Sequence, residues 1–359
     1  MALSISWQHW LLPVQGPPGV GKTFLITALI NQIFKDEAYS KILLTAQSHA
    51  TVNILYNEVK KLKFDKELII IDAFNNKSKD QDDEDFKISS RVTKPYINDF
   101  KRSQMFKDGC KNQTDDFKNK LNNFVNENGD WGSFFEQILK AANILFSTSN
   151  SKIIENLLDN NIQFDFSILE EAGKSSGLEI ISPLMLSHRR ILIGDHMQLP
   201  PFLERSINKI LDSDVSNIKH VIDEVKDGEF KFPLFNQILG DTNQDQSDLN
   251  ISLDSKLKLQ KNSKDYFGLF KFLTKKAEEL NERKQPSFGK RVNIQHRMHP
   301  DIANIVSKTV YNSELETYHE LKAKFSDSNP FYFESLEKLQ LSTSTKGVQR
   351  WIRKFEQLL

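Results

Sequence analysis

Cysteine is nearly absent from this chain: Cys110 stands alone in 359 residues, which excludes an intrachain disulfide. Charge of one sign is not in excess either. Lys+Arg and Asp+Glu both number 48, so the formal net charge is zero. Global basicity therefore gives no argument for a nucleic-acid partner, and any such contact has to come from a local groove. No apolar run is long enough to span a membrane, and no membrane partner is expected. The apolar start, residues 1–14, has no basic leading region and runs straight into a glycine-rich loop, so it reads as a strand with its lead-in and not as a signal peptide. No internal repeat is visible. The length suffices to bury one or two cores.

What is present begins with Gly16-Pro17-Pro18-Gly19-Val20-Gly21-Lys22-Thr23, which fills every position of the phosphate-cradling loop GxxxxGK[ST]. An apolar run, Trp10 to Gln15, precedes it, and apolar residues at helical spacing follow from Lys22 to Phe34. Glycines at 16, 19 and 21 let successive N–H groups and a helix N-terminus converge on phosphate oxygens. Lys22 then faces the β and γ phosphates, and the Thr23 hydroxyl is a ligand for Mg²⁺. The alternative is a Gly/Pro turn before a helix with an exposed lysine. A nucleotide, ATP with Mg²⁺, is the first ligand to consider. With an intracellular nucleotide in view, the single cysteine points to a reducing interior, cytoplasmic or nuclear.

Short apolar runs alternate with helical patterns along the chain. Lys41–Thr45, Glu67–Ile71, Asn143–Ser147, Phe164–Leu169 and Arg190–Ile193 read as strands, while Ala50–Leu62, Ser133–Ala141, Leu178–Leu186 and Tyr266–Leu280 read as helices. This predicts an α/β fold with a parallel sheet covered by helices on both faces. Between about 75 and 130 the composition turns to Asn, Lys and Asp with scattered Phe, a polar insertion with little core of its own.

Two further segments carry chemistry. Phe164-Asp165-Phe166-Ser167-Ile168-Leu169-Glu170-Glu171 delivers two carboxylates to the C-terminal end of a strand, where ligands lie in an open parallel sheet. Glu170 is assigned to the metal and Glu171 to the base that takes a proton from the attacking water. Acidic residues in a helix's first turn are the alternative. The strand Ile191–Ile193 ends in Gly194-Asp195-His196-Met197-Gln198-Leu199-Pro200-Pro201, where Gln198 can orient water or sense the γ phosphate. A lone His beside a turn, such as His196, is more often a structural hydrogen-bonding group than a catalyst.

Together, QGPPGVGKT, TAQSHATVN (45–53), LEEAGKSS (169–176), LIGDHMQLPP (192–201) and NIQHRMHPDIA (293–303) resemble superfamily 1 (1B) helicases, in the branch typified by the nonsense-mediated-decay and senataxin-like enzymes. The pattern covers most of residues 10–315. It implies a RecA-like P-loop NTPase that moves on single-stranded DNA or RNA, with Gln47, Ser48 and His49 touching the strand's backbone. Arg297 matches the arginine that reaches the γ phosphate from a second RecA-like domain. The expected organisation is a first motor domain over 1–205, a connector over 206–290 and a partial second domain over 291–359.

The sequence departs from that pattern at Glu170, where Asp is usual, and at Pro13, whose missing N–H is unexpected in a central strand. It also lacks a recognisable adenine-reading glutamine segment and the later second-domain motifs. The chain is therefore expected to be incomplete, to bind nucleotide weakly and to unwind little by itself, with the missing motor segment or a protein partner supplying the rest. A helicase-derived clamp or scaffold that binds nucleotide without unwinding is the alternative function. A small-molecule kinase fits less well, since it leaves QHRMHP and the GD-x-x-QLPP turn unexplained.

Overall fold

The computed structural model describes residues 10–65, 68–73, 131–212 and 253–324, with a few positions between 92 and 104. Almost all of the polar insertion, the Asn/Asp/Gln-rich patch near 240–250 and the tail after 324 lie outside the described residues. Two compact units are present, Met1–Asn293 and Ile294–Leu359.

In the first unit, β1 (Leu11–Gln15), α1 (Lys22–Asp36), β2 (Ile42–Ala46), α2 (His49–Lys60) and β3 (Ile70–Asp72) precede the insertion. After it come α3 (Trp131–Ala141), β4 (Ile144–Thr148), α4 (Lys152–Asp159), β5 (Phe164–Glu170), α5 (Gly177–Met185) and β6 (Ser187–Gly194). Helices α6 (Glu204–Leu211), α7 (Leu253–Phe267) and α8 (Leu269–Glu282) lead to β7 (Lys290–Arg291). The seven strands form one sheet in the order β3-β4-β2-β5-β6-β1-β7, and every neighbouring pair is parallel. This is the α/β architecture with a parallel sheet expected from the alternating pattern.

Why these runs are strands is visible in their burial. All five residues of β2 and of β4 are buried, as strands covered on both faces must be. Successive side chains serve opposite layers: Ile42 and Leu44 join Ile26, Ile30 and Phe146 in one core, while Leu43 packs with Leu145, Ile154 and Leu157 in another. A third core beneath β5 and β6 gathers Leu169, Ile180, Leu192 and Phe270. Phe270 belongs to α8, so the described helices of the 206–290 stretch include one packed against the first sheet. The single helix expected over Tyr266–Leu280 is two helices, with Gly268 capping the second. Polar α7 hides its helical period behind Lys, Asn and Asp, and that is why periodicity missed its start.

Pro13 fits the sheet without a lost bond. Trp10 O accepts from Arg190 N, and Gly16 N donates to Gly194 O, so even-numbered residues of β1 face β6. The carbonyl of Gln15 accepts from Val292 N on the other side. Pro13 shares the parity of Gln15, and β7 pairs only with Val14 and Gln15. The proline nitrogen therefore points past the end of β7, where no ladder acceptor stands.

The second unit holds β8 (Ile294–Gln295), α9 (Pro300–Val310), β9 (Glu316–Thr317) and α10 (His319–Lys324), with β8 and β9 parallel across α9. Pro300 opens α9, and the His299 ring accepts from Asp301 N at 3.3 Å, as expected of residues that shape a helix entry. Among the described residues no helix is long and apolar enough to cross a membrane.

Candidate functional site

The loop after β1 curls because Gly19 and Gly21 both take φ 80°, a left-handed conformation that costs glycine little. Gly21 is the N-cap of α1, which carries no side-chain cap and no acidic residue in its first turn. Its terminal N–H groups thus face the loop without an internal anion. Lys22 Nζ donates to the carbonyls of Gly16 at 2.8 Å and Pro17 at 3.3 Å, so the ammonium lies folded into the loop. A side chain on Gly16 would press on Lys22 Cγ and Val20 Cγ2, both 3.1 Å away.

β5 brings the acidic pair to this loop. The Thr23 hydroxyl donates to Glu170 Oε1 at 3.1 Å, across 147 residues of sequence. Glu170 is buried, and burial above all raises its pKa to about 7, with the neighbouring Glu171 charge adding to the rise and the Thr23 bond opposing it. Glu171 turns out of the strand in a left-handed conformation, φ 58°, which costs a non-glycine residue about 1 kcal/mol or more. Its carboxylate accepts from Thr51 Oγ1 at 3.0 Å and from Lys174 Nζ at 2.8 Å. The expected strand-contacting residues lie alongside. Gln47 Nε2 donates to Lys174 O at 3.1 Å, Ser48 caps α2 by accepting from Thr51 N, and His49 is exposed on the first turn.

Gln198 sits in a second polar cluster at the end of β6. Buried Asp195 accepts from Gln15 Nε2 at 2.6 Å, Met197 N at 3.0 Å and Gln198 Nε2 at 2.8 Å. That orientation of Gln15 leaves its Oε1 as an acceptor, 2.9 Å from His196 Nδ1. The histidine proton therefore lies on Nδ1. Burial pushes the His196 pKa down to about 4, against the pull of Asp195, so the ring is a neutral structural donor at neutral pH. Arg297 belongs to the second unit, exposed on a turn organised by fully buried Gln295, whose Oε1 accepts from Arg297 N at 2.8 Å and Met298 N at 2.6 Å.

Lys22, Thr23, Glu170 and Glu171 thus share one edge of the first sheet, and the charges of Lys22 and Lys174 both reach Glu170. Sequence reading missed Gln15, Thr51, Lys174 and Gln295. All four lie inside the quoted strings, but the partners of Gln15 and Thr51 are 180 and 120 residues away, where no local pattern reaches, and the Lys174 contact three residues from Glu171 depends on the left-handed turn at Glu171.

A family model described as an AAA domain matches residues 2–71 and 63–205, more than half of the chain. The chain belongs to this family, the AAA domain of DNA2/NAM7-like superfamily 1 helicases. Two curated relatives are each named DNA replication ATP-dependent helicase/nuclease DNA2. The protein from Gallus gallus is 48% identical over 44 residues, 12% of this chain and 4% of its own length. The one from Saccharomyces cerevisiae is 25% identical over 198 residues, 55% of this chain and 10% of its own. This AAA domain therefore spans a tenth or less of those relatives. Among solved structures it is similar to a nuclease-deletion mutant of the Type ISP restriction-modification enzyme LlaGI with a DNA substrate mimic (17% identity, 76% of this chain and 26% of that one, TM-score 0.28). The Pyrococcus furiosus Hef helicase domain is similar at 11% identity, with 88% and 65% covered and a TM-score of 0.30. TM-scores that low add nothing to the fold, which rests on the sheet.

The donor set suits a triphosphate with a hard divalent cation. It offers glycine-loop N–H groups, an uncapped helix N-terminus, an ammonium, and a hydroxyl paired with one carboxylate. Among the described residues no group of three or more His, Cys, Asp or Glu could hold a metal ion.

Buried Glu170 gives a test of this environment. Its folded-state pKa is raised from the usual 4.5 to about 7. Its contribution to stability is then full below the ordinary carboxylate value and is lost as pH rises through about 7. The loss is on the order of 3 kcal/mol. Urea unfolding without divalent cations, between about pH 5 and 8, should show that slope in the parent chain and a flatter one in Glu170→Gln. Parallel slopes in the two would refute the burial argument.

Proposed function

We propose that this AAA domain hydrolyses ATP and couples the hydrolysis to movement on single-stranded DNA or RNA. The Thr23–Glu170 contact carries the reading, because it joins the phosphate loop to the strand that presents Glu171. In this reading the loop N–H groups of residues 16–21 and the Lys22 ammonium hold the β and γ phosphates, while Thr23 and Glu170 hold Mg²⁺. Bound Mg²⁺ supplies charge neutralisation at the β and γ oxygens. Glu171 orients the attacking water and accepts its proton. Gln198, steadied by Asp195, is the residue read as following the γ phosphate. Gln47, Ser48 and His49 meet the strand's sugar-phosphate backbone, so binding depends little on sequence and falls with salt.

Phosphate release measured with and without oligo-dT or oligo-U tests the reading. Turnover should rise several-fold with at least one of the two. Binding of the oligonucleotide with no change in turnover would instead indicate a clamp.

A further inference from the structure

The polar contacts around Glu171 form a closed circuit. Thr51 Oγ1 holds one carboxylate oxygen at 3.0 Å and Lys174 Nζ the other at 2.8 Å. Ser48 Oγ lies 2.8 Å from Thr51 Oγ1, and Gln47 Nε2 donates to the Lys174 carbonyl at 3.1 Å. Two short segments, 47–51 and 171–174, thus link the residues read as facing nucleic acid to the residue read as the base. Nothing in the hydrolytic chemistry described above uses Thr51 or Lys174.

We propose that Lys174 and Thr51 are positioning residues that latch Glu171 at rest, and that a backbone phosphate of a bound single strand releases the latch by drawing the Lys174 ammonium to itself. The inference rests on the reading of Glu171 as base and of 47–49 as the strand-facing loop. The side chains of Lys174 and Glu171 are 32% and 25% exposed, so the pair is open to an external anion, whereas Glu170 is closed off at 5%. A lysine is suited to such an exchange: a compact charge on a flexible stem with three donors and no fixed geometry. Both carboxylate oxygens are engaged at rest, one by Thr51 and one by Lys174, and the two contacts fix the direction in which the group faces. Once Lys174 has moved, Glu171 can take the water proton while the water oxygen bonds to the γ phosphorus and the bond from that phosphorus to the β-bridging oxygen breaks, leaving ADP and phosphate. Gln47 ties the turn of Lys174 to the strand-facing loop, so the contact that reads the strand and the latch it opens move as one piece.

The test compares Lys174→Met, Lys174→Gln and Thr51→Val with the conservative Lys174→Arg and Thr51→Ser, each checked for folding by circular dichroism. Turnover is measured with and without oligo-dT or oligo-U, and oligonucleotide affinity is followed by fluorescence anisotropy with no nucleotide present. Loss of the latch should raise strand-free turnover several-fold and bring the stimulated-to-basal ratio toward one, in K174M, K174Q and T51V alike. A merely structural role would lower both rates. Without nucleotide, K174M should bind the oligonucleotide more weakly and with a salt slope shallower by about 0.7, one phosphate's worth on a single strand. T51V should leave affinity as it was, and K174R and T51S should restore stimulation. If the parent chain is stimulated and the variants keep both its basal rate and its ratio, the latch is wrong and the hydrolytic reading survives. If the parent chain hydrolyses nothing under any condition, the reading falls and the latch with it.

Discussion

Replacing Lys22 with alanine is expected to cut ATP turnover by about 10²–10³-fold, the cost of deleting one preorganised donor from a charged transition state. The fold should survive the change. Lys22 opens α1, whose packing rests on Ile26, Leu29, Ile30, Ile33 and Phe34, and alanine is at least as good a helix former. The two carbonyls that the ammonium holds belong to Gly16 and Pro17 of the loop and not to the sheet ladder. A melting temperature within a few degrees of the parent, beside a collapse in phosphate release, is the expected pair of results. Turnover at the parent rate would remove Lys22 from the phosphate site and with it the main ground for nucleotide hydrolysis.

Gly173→Ala is expected to cost about 3–5 kcal/mol of stability and to abolish turnover with it. The turn after Glu171 lies backbone to backbone on the turn after β6. A Cβ on Gly173 would stand 2.3 Å from the Asp195 carbonyl oxygen, and one on Gly194 would stand 2.6 Å from Gly173 N. Neither neighbour is a flexible side chain that could swing aside, so one of the two edge turns has to move. Such a move displaces either Glu171 or the Asp195–Gln198 pair. Urea unfolding checks the figure, with Gly268→Ala as the comparison. There the nearest heavy atom to a new Cβ is 3.5 Å away, and the expected change is within about 1 kcal/mol. Equal losses at the two positions would show that the close approach of the turns is not what glycine 173 serves.

The phosphate loop was fully legible because all eight of its residues are contiguous and each glycine answers a local backbone demand. The central strands were legible for a related reason: burial on both faces leaves an uninterrupted apolar run such as Ile42–Leu44. Helix α4 escaped notice although Ile153, Ile154 and Leu157 are buried at helical spacing, because eight residues between two strands give too short a window. The environment of Glu171 was legible only in part. Thr51 stands in a quoted string, but its meaning comes from a neighbour placed by the sheet register, Ala46 opposite Glu170, and no periodicity encodes that. His196 was read as structural, and the geometry agrees: Gln15, fixed by Asp195, dictates which ring nitrogen holds the proton.

Pro13 has a consequence for how the first strand is held. β7 pairs with only two residues of β1, and Pro13 below them is buried. The chain entering β7 lies against it, since a Cβ on Gly289 would stand 3.5 Å from both its Cγ and its carbonyl oxygen. The ring gives up a donor where the ladder has no acceptor to meet it and fills the space by apolar contact instead. The strand that feeds the phosphate loop is thus anchored at Pro13 by packing and not by a hydrogen bond.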